Sequence, residues 1–307
     1  MKRASNEVRR ARALLGTLVE VTVYGASRAR ANEAIDAALA AVERVHVLMS
    51  FHDSGSDVSR LNRLASRSAV LVNPWTYNVL SMAKKLSIQT QGAFDITVAP
   101  LLQRWGYLPR SAGVSSIRSA FPQTLSLSPA ARMNSICLLP ENRVRFLQPL
   151  QIDLGGIAKG FAVDEAVTEL QRHGIKSGLV NAGGDLRAFG RREQQVHLRH
   201  PACLDKIVPL RPLTDCALAT SATYFSRKKW HGQWVSSNVD SRRKRPCTAR
   251  FSLSVQAPTC ILADALTKVL FASHSRPQPL LKTFSATAFI LTHRGDIFST
   301  ESLHEAR

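Results

Sequence analysis

The segment from Asp153 to Lys159 has the residue types needed to hold a phosphate group. Gly155 and Gly156 let the backbone approach a ligand closely, and the helix predicted to follow them offers free N–H groups to an anion. Lys159 adds a mobile cation, and Asp153 can accept hydrogen bonds from a ring or a ribose. The spacing differs from that of a Walker A loop. The alternative is a tight turn that binds no ligand.

A carboxylate on an otherwise apolar helix is the second candidate for chemistry. Asp264 lies among alanines and leucines, with Thr267 and Lys268 about one turn further on. Burying a carboxylate is costly unless a cation or a hydrogen-bond donor accompanies it. The pattern is therefore typical of either a metal ligand or a buried acid held by a salt bridge or hydrogen bonds.

Three other polar segments have weaker patterns. A polar loop that contains His52 follows a predicted helix, and residues 93–95 lie just beyond the end of another. A single loop histidine is more often an exposed side chain than part of a site. The third segment, residues 181–185, has the composition of a β-turn. None of the three indicates a site by itself.

Hydrophobic periodicity predicts the elements that must position these residues. Strands are predicted where apolar residues alternate, and helices where they recur every three or four residues. The second helix has clear boundaries, because Asn73 and Pro74 are typical of a helix start and Gly92 of a helix end. Strands and helices occur in blocks, which is typical of an α+β fold rather than a doubly wound sheet. The predicted strands are residues 17–24, 177–181, 185–189, 195–199, 215–219, 251–256, 286–292 and 296–300, and the predicted helices are residues 27–49, 74–91, 157–173 and 260–273.

The composition is that of a folded protein with a large positive charge. The chain has 307 residues, 45% of them hydrophobic, and its 41 Lys and Arg against 22 Asp and Glu give a formal net charge of +19. This hydrophobic content excludes a disordered or collagen-like chain. The basic residues concentrate in residues 1–13 and 227–250, which indicates either a polyanion-binding surface or solvated segments. Since no nucleic-acid-binding motif accompanies them, we expect no nucleic-acid partner.

Cysteine usage and the lack of long apolar runs bear on the compartment. The five cysteines are widely spaced without a Cys-x-x-Cys pair, which indicates reduced thiols rather than a disulfide framework or a zinc site. No apolar run approaches the roughly 20 residues needed to cross a membrane. The first residues lack the apolar stretch of a signal peptide. We therefore expect no transmembrane segment and a cytoplasmic location.

Several sequence motifs in a fixed order resemble those of a known family. Over about residues 14–300 the chain contains, in order, MSFH with SRLN, GAFDIT, IDLGGIAKGFAVD, NAGGD, ATSATY and ADALT. This series resembles the ApbE family of FAD:protein FMN transferases. The resemblance implies an α+β fold with mixed or antiparallel sheets and a flavin nucleotide in a central cleft. It also implies a basic tail (1–13), a flavin transferase domain (14–300) with a possible division into subdomains near 107–150, and a C-terminal tail (301–307).

The activity implied by the resemblance is the Mg²⁺-dependent transfer of FMN from FAD to a Thr or Ser hydroxyl of a target flavoprotein, with release of AMP. FAD is then the substrate, Mg²⁺ the cofactor and the flavoprotein the partner. By the same resemblance, the residues expected to contact the flavin nucleotide are Leu15, His52, Ala93, Phe94, Asp95, Asp153 and Lys159. The expected metal ligands are Gly156, through its backbone, Asp264 and Thr267, and the expected catalytic residues are Asp264 and Lys159.

Several positions depart from the family pattern, including those in segment 237–244 where the family has a proline and a glycine. Lys268 stands where the family has a threonine metal ligand, so either Thr267 replaces that ligand or the Lys268 ammonium displaces the metal. Ser237 stands where the family has a histidine suited to act as a general base, and Ala222 stands where it has a glycine. These departures leave two alternatives to an active FMN transferase. One is an FAD-binding protein without transfer activity, and the other is an FAD pyrophosphatase.

Overall fold

A large antiparallel sheet lies at the centre of the structure. The structure is a computed structural model, and it describes residues 6–109, 127–203, 205–224, 226–272 and 277–300. The strands in chain order are β1 (Glu7–Leu14), β2 (Thr17–Tyr24), β3 (Val70–Leu71), β4 (Ile136–Leu139), β5 (Arg143–Phe146), β6 (Gly178–Ala182), β7 (Asp185–Phe189), β8 (His197–Arg199), β9 (Ile207–Pro209), β10 (Ala217–Ala222), β11 (Lys228–Trp230), β12 (Gln233–Val235), β13 (Val239–Asp240), β14 (Arg245–Pro246), β15 (Ser252–Ala257), β16 (Thr287–Leu291) and β17 (Ile297–Ser299). The eight-stranded sheet has the order β1–β2–β6–β7–β10–β15–β16–β17. A smaller sheet has the order β3–β5–β4, and the remaining strands form two-stranded hairpins.

Side-chain caps set the starts of several helices. The helices in chain order are α1 (Arg28–Met49), α2 (Asp57–Leu64), α3 (Pro74–Gln89), α4 (Ala99–Arg104), α5 (Pro129–Asn134), α6 (Ala158–Arg172), α7 (Cys260–Ala272) and α8 (Gln278–Thr283). Asn73 accepts a hydrogen bond from the Trp75 N–H at 3.0 Å, as its position before Pro74 predicts. Ser56 caps α2 in the same way. No helix in these parts of the chain is long and apolar enough to span a bilayer.

The main apolar core lies between the large sheet and helices α1, α6 and α7. Along β2 the side chains alternate, so Val19, Val21 and Val23 are all buried. Helix α1 packs against α6, and α6 packs against α7. The antiparallel sheet with helices packed on it confirms the predicted α+β fold class.

Asp164 of α6 holds the start of α7. Its carboxylate accepts hydrogen bonds from the N–H groups of Cys260 and Ile261, at 3.0 and 2.9 Å, and it pairs with Arg187 at 2.7 Å. A carboxylate in this position satisfies N–H groups that have no partner inside the helix. The contact sets α7 against α6, so that Lys159 on α6 lies close to Asp264 on α7.

Replacing Gly160 with alanine should lower the free energy of unfolding by about 1–3 kcal/mol, because overpacking disturbs two closely spaced helices. An added Cβ atom would lie 2.3 Å from the Cys260 carbonyl oxygen. This cost opposes the gain of about 1 kcal/mol that alanine normally brings to a helix. Urea denaturation followed by circular dichroism measures the difference. Gly55→Ala is the control, since its nearest atom is the tip of the Asp53 side chain at 3.4 Å. Equal stability of the two variants would contradict the close packing.

Part of the segment predicted to be a basic tail is instead strand β1. Its arginines form ion pairs with neighbouring acids: Arg9 with Glu20, Arg10 with Asp36 at 2.8 Å, and Arg12 with Glu43 at 3.5 Å. A charged edge strand is common because its charges discourage pairing with another chain. The sequence prediction missed β1 because arginine-rich segments also occur in solvated tails.

Other elements also differ from the prediction, among them a helix and two strands. The polar segment 57–64, predicted to be a loop, is helix α2, and its polar residues include the capping Ser56 and the buried Asp57. Residues 136–146, part of a stretch with no regular pattern, form β4 and β5. Residues 110–126 and the predicted tail 301–307 lie outside the described residues. The division into subdomains stays a prediction.

Candidate functional site

A cavity of about 790 Å³ lies where the turn between β1 and β2, the end of α1 and the start of α6 meet. Its size is typical of ligand pockets. Predicted site residues line it from several separate segments: Leu15, His52, Ala93, Phe94, Asp95, Asp153, Gly156 and Lys159. The other two, Asp264 and Thr267, are fully buried and do not belong to its lining. The structure therefore places the predicted nucleotide contacts around one cavity and the predicted metal-binding side chains behind its wall.

Leu15 reaches the cavity because the β1–β2 turn has an unusual backbone. Both Leu15 and Gly16 have positive φ angles, +55° and +70°. Positive φ at both central residues is typical of the tight hairpin turns that match strand twist. The Leu15 N–H donates a hydrogen bond to His46 Nδ1 at 3.1 Å, which ties the turn to α1. The turn thus closes one side of the cavity.

His52 lies on a loop held by two serines. The N–H groups of His52 and Asp53 both donate to Ser50 Oγ at 3.2 Å, and Ser56 Oγ donates to the Ser50 carbonyl at 2.6 Å. The His52 side chain itself is exposed. An exposed loop histidine is what the sequence predicted without the family resemblance, so the geometry fits a rim position rather than a buried contact.

Both carboxylate oxygens of Asp95 accept hydrogen bonds from other residues of the protein. Its Oδ1 accepts hydrogen bonds from the Thr97 N–H and hydroxyl at 2.7 and 2.6 Å, and its Oδ2 accepts one from Arg132 at 2.6 Å. The Asp95 and Arg132 side chains are 0% and 1% exposed. Asp95 therefore holds the 93–97 segment in shape, whereas its side chain has no free oxygen to offer a ligand. The sequence analysis did not identify Arg132.

Asp153 lies in a segment that Asn62 holds in place. The Asn62 side chain donates to the Ile152 carbonyl at 2.9 Å and accepts from the Ile152 N–H at 2.8 Å. The Asp153 carboxylate accepts one hydrogen bond, from the Gly155 N–H at 3.2 Å. Burial in the cavity wall raises the pKa of Asp153 to about 6, although this hydrogen bond and the nearby His52 act to lower it. The sequence analysis noted Asn62 only as the last residue of the SRLN motif and did not predict this role.

Two lysines and two aspartates form a charged cluster at one end of the cavity. Lys159 pairs with Asp185, and its Nζ lies 3.8 Å from Asp264 Oδ2. Lys268 Nζ lies 3.2 Å from the other carboxylate oxygen of Asp264. The turn before β7, which has positive φ at both Gly183 and Gly184, brings Asp185 here. The sequence analysis interpreted this segment as a turn. The only feature of the sequence that could have indicated a site residue here was an acid, Asp185, directly after two glycines.

Charge pairing determines the ionisation of this cluster. Burial alone would raise the pKa of Asp264, but the ammonium groups of Lys159 and Lys268 outweigh it and lower that pKa. Burial would likewise lower the pKa of Lys159, but Asp185 and Asp264 raise it. Burial raises the pKa of Asp185 despite its pairing with Lys159. Lys159 and Asp264 are thus a charged pair at neutral pH.

In the structure the predicted metal ligands Gly156, Asp264 and Thr267 lie around the side chain of Lys268. Lys268 Nζ donates hydrogen bonds to Ser221 Oγ and, at 3.0 Å, to Thr267 Oγ1, besides its ion pair with Asp264. The Lys268 side chain also covers Gly156, where an added Cβ atom would lie 3.3 Å from Lys268 Cγ. Within the described parts of the chain, no group of three or more His, Cys, Asp or Glu is arranged to hold a metal ion. This donor set does not fit Mg²⁺, because an ammonium group lies among the oxygens.

Comparison with known proteins agrees with the order of the motifs. The sequence profile of the ApbE family matches residues 15–288, most of the chain. The chain belongs to the ApbE family. Among its ApbE relatives, the FAD:protein FMN transferase of Rhodobacter capsulatus is 28% identical over 298 residues, which cover 94% of this chain and 56% of that protein. The FAD:protein FMN transferase of Escherichia coli K12 is 23% identical over 299 residues, which cover 93% of this chain and 84% of that protein.

The solved ApbE structures have the same fold. The ApbE protein of Thermotoga maritima superposes with a TM-score of 0.80 at 26% identity, covering 98% of this chain and 99% of that one. The chain spans about half the length of the Rhodobacter relative, which is therefore a longer protein. The ApbE fold thus extends over nearly the whole of this chain.

Proposed function

We propose that this protein transfers FMN from FAD to a Thr or Ser hydroxyl of a target flavoprotein and releases AMP. The observation that carries the proposal is the gathering of the flavin motifs around one cavity, with Lys159 at its charged end. The named ApbE relatives support it, because they are FAD:protein FMN transferases. Asp153 would accept hydrogen bonds from the flavin nucleotide, and Phe94 and Leu15 would supply apolar walls.

In the proposed reaction the acceptor hydroxyl oxygen attacks the phosphorus of the FMN half. A phosphoester bond forms between that oxygen and phosphorus, while the bond from phosphorus to the bridging anhydride oxygen breaks. AMP leaves with the bridging oxygen and its electron pair, and the hydroxyl proton passes to solvent. The Lys159 ammonium would stabilise the charge that develops on the phosphate oxygens. No imidazole stands at position 237, where Ser237 Oγ donates to Ser226 Oγ at 3.1 Å.

Mass spectrometry of an acceptor flavoprotein tests this function. The protein is incubated with FAD and a flavoprotein that carries the acceptor threonine, in the presence and absence of Mg²⁺. We expect the acceptor to gain the mass of one FMN phosphoester, with one AMP released per acceptor modified. An acceptor with the threonine replaced by valine is the control and should gain no mass. No mass gain at high enzyme concentration, with or without Mg²⁺, would refute the proposed transfer.

Lys268 and Ser237 favour one alternative, an FAD-binding protein that has lost transfer activity. In that case FAD binds without turnover even when the acceptor is present, and the double variant Lys268→Thr with Ser237→His gains activity. An FAD pyrophosphatase would instead release FMN and AMP when no acceptor is present. Chromatography of the products without an acceptor separates the pyrophosphatase from the transferase.

Binding of FAD should weaken as the pH falls below about 6, because the ionised Asp153 carboxylate accepts hydrogen bonds from the nucleotide more strongly than the protonated acid does. Its pKa is raised to about 6, so the carboxylate is ionised above that pH and becomes protonated below it. Proton linkage predicts a loss of up to about tenfold in affinity per pH unit. Flavin fluorescence titrations between pH 4.5 and 8 measure the effect.

Asp153→Asn removes the titrating group and should flatten this profile. Asp296→Asn, at an exposed turn remote from the cavity, should keep the profile of the unmodified protein. A profile that stays unchanged in Asp153→Asn would show that another group controls the pH dependence.

A further inference from the structure

The ammonium group of Lys268 has the surroundings of a bound cation. It lies against three side-chain oxygens, those of Asp264, Thr267 and Ser221. Asp264 and Thr267 are 0% exposed, and Ser221 is buried. Oxygen donors of this kind, a carboxylate with two hydroxyl groups, are hard ligands that suit a small cation. In this protein the cation that they hold is part of the chain.

The charges of the cluster are already balanced without a metal ion. Asp185 and Asp264 provide two acidic groups, and Lys159 and Lys268 provide two ammonium groups in contact with them. A divalent ion bound to Asp264 would lie within a few ångströms of both ammonium groups. Like charges at that separation repel strongly in a partly buried site. The balanced cluster therefore disfavours binding a further cation.

Both lysines face the cavity, whereas Asp264 does not. Lys159 and Lys268 are lining residues, and their side chains are 32% and 25% exposed. In the described residues, two hydrogen bonds of Lys268 Nζ go to Ser221 and Thr267. The ammonium also lies 3.2 Å from Asp264 Oδ1. A ligand anion in the cavity would therefore share the Lys268 ammonium with these three protein oxygens.

We propose that Lys268 takes the place of a divalent cation, so that Lys159 and Lys268 together bind the pyrophosphate of a dinucleotide without metal. This inference rests on the proposed function only in taking FAD as the dinucleotide. A pyrophosphate diester has two negative charges, and at this end of the cavity it would meet the two ammonium groups rather than the acids, because the lysine side chains are 32% and 25% exposed and those of Asp185 and Asp264 only 4% and 0%. Lysine is an effective phosphate ligand because its ammonium is a compact charge with three donors.

Equilibrium binding of FAD to protein treated with EDTA tests the proposal. Flavin fluorescence is titrated in EDTA and again with millimolar Mg²⁺, for the unmodified protein and three variants. The unmodified protein should bind FAD with the same affinity, within about twofold, in both conditions. Lys268→Thr should bind at least tenfold more weakly in EDTA and regain affinity with Mg²⁺, because threonine supplies an oxygen in place of the ammonium. Lys268→Met should lose affinity in both conditions.

Lys282→Met is the matched control, since Lys282 is an exposed lysine on α8. It should bind FAD as the unmodified protein does. Circular dichroism shows whether each variant is folded, and if the Lys268 variants are not, the unmodified protein alone decides the question. A tenfold or larger gain in its affinity on adding Mg²⁺ would overturn the proposal, and so would a lack of FAD binding in both conditions.

This test and the test of the function can fail separately. Metal-independent FAD binding with no modified acceptor would refute the transferase and leave the two-lysine site in place. Modified acceptor together with Mg²⁺-dependent FAD binding would refute the two-lysine site and leave the transferase in place.

Discussion

Replacing Lys159 with methionine should slow the transfer of FMN by about 10²–10³-fold, the effect typical of losing one group that stabilises charge in the transition state. Lys159 is the cavity-lining cation that pairs with Asp185 and also lies 3.8 Å from Asp264. Without it, the cluster at this end of the cavity would hold two carboxylates and only one ammonium, which disfavours phosphate oxygens beside it. Release of AMP under saturating FAD and acceptor measures the rate.

Two further variants separate loss of charge from loss of structure. Lys159→Arg keeps the positive charge and should retain more activity than Lys159→Met, although its planar group suits the site less well. The double variant Lys159→Met with Asp185→Asn removes the unpaired acid as well. It should recover the thermal stability lost in the single variant without recovering the rate. If the double variant regains most of the activity, Lys159 serves only to neutralise Asp185.

Replacing Arg132 with methionine should lower the free energy of unfolding by about 3–5 kcal/mol, the usual cost of leaving a buried charge without its partner. Arg132 donates to Asp95 Oδ2 and to Thr97 Oγ1, at 2.6 and 2.8 Å. Both charged side chains are almost fully buried. Because this pair shapes the 93–97 segment along the cavity, the variant should also bind FAD more weakly. Urea denaturation and flavin titration measure the two effects.

The double variant Arg132→Met with Asp95→Asn is the control for this pair. Removing both charges should recover much of the stability, since a buried pair replaced as a whole costs less than a pair that is broken. Arg132→Lys should give an intermediate loss, because one ammonium group lacks the fork that reaches both Asp95 and Thr97. A single variant as stable as the unmodified protein would show that solvent reaches Asp95.

Local signals in the sequence were sufficient for the four longest helices and for most strands of the large sheet. The start of α3 was predicted from Asn73 and Pro74, and capping is a local property of a few adjacent residues. Alternating apolar residues predicted β2, since a half-buried strand shows its two faces in the sequence. Strand β1 was missed because its arginines are neutralised by acids on β2 and α1, which local patterns do not reveal.

The candidate site was predicted in its parts but not in its connections. The motifs identified the segments that line the cavity, including Asp153 and Lys159. The sequence analysis did not predict that Arg132 would occupy Asp95, or that Asp185 would pair with Lys159. Each of these contacts joins residues far apart in the chain. Such contacts depend on how the sheet and helices pack, which no motif spacing specifies.

The partners of Asp264 could be predicted only in part from local sequence. Helical spacing alone places Lys268 on the same face as Asp264, because residues four apart in an α-helix lie one above the other. The spacing did not decide whether Asp264 holds a metal ion or a lysine, and both interpretations were open. In the structure Lys268 pairs with Asp264, and the packing of α7 against β10 brings Ser221 within reach of the same ammonium, 47 residues away in sequence. Sequence determines which groups share a helix face, whereas neutralising a buried charge requires partners that only tertiary packing supplies.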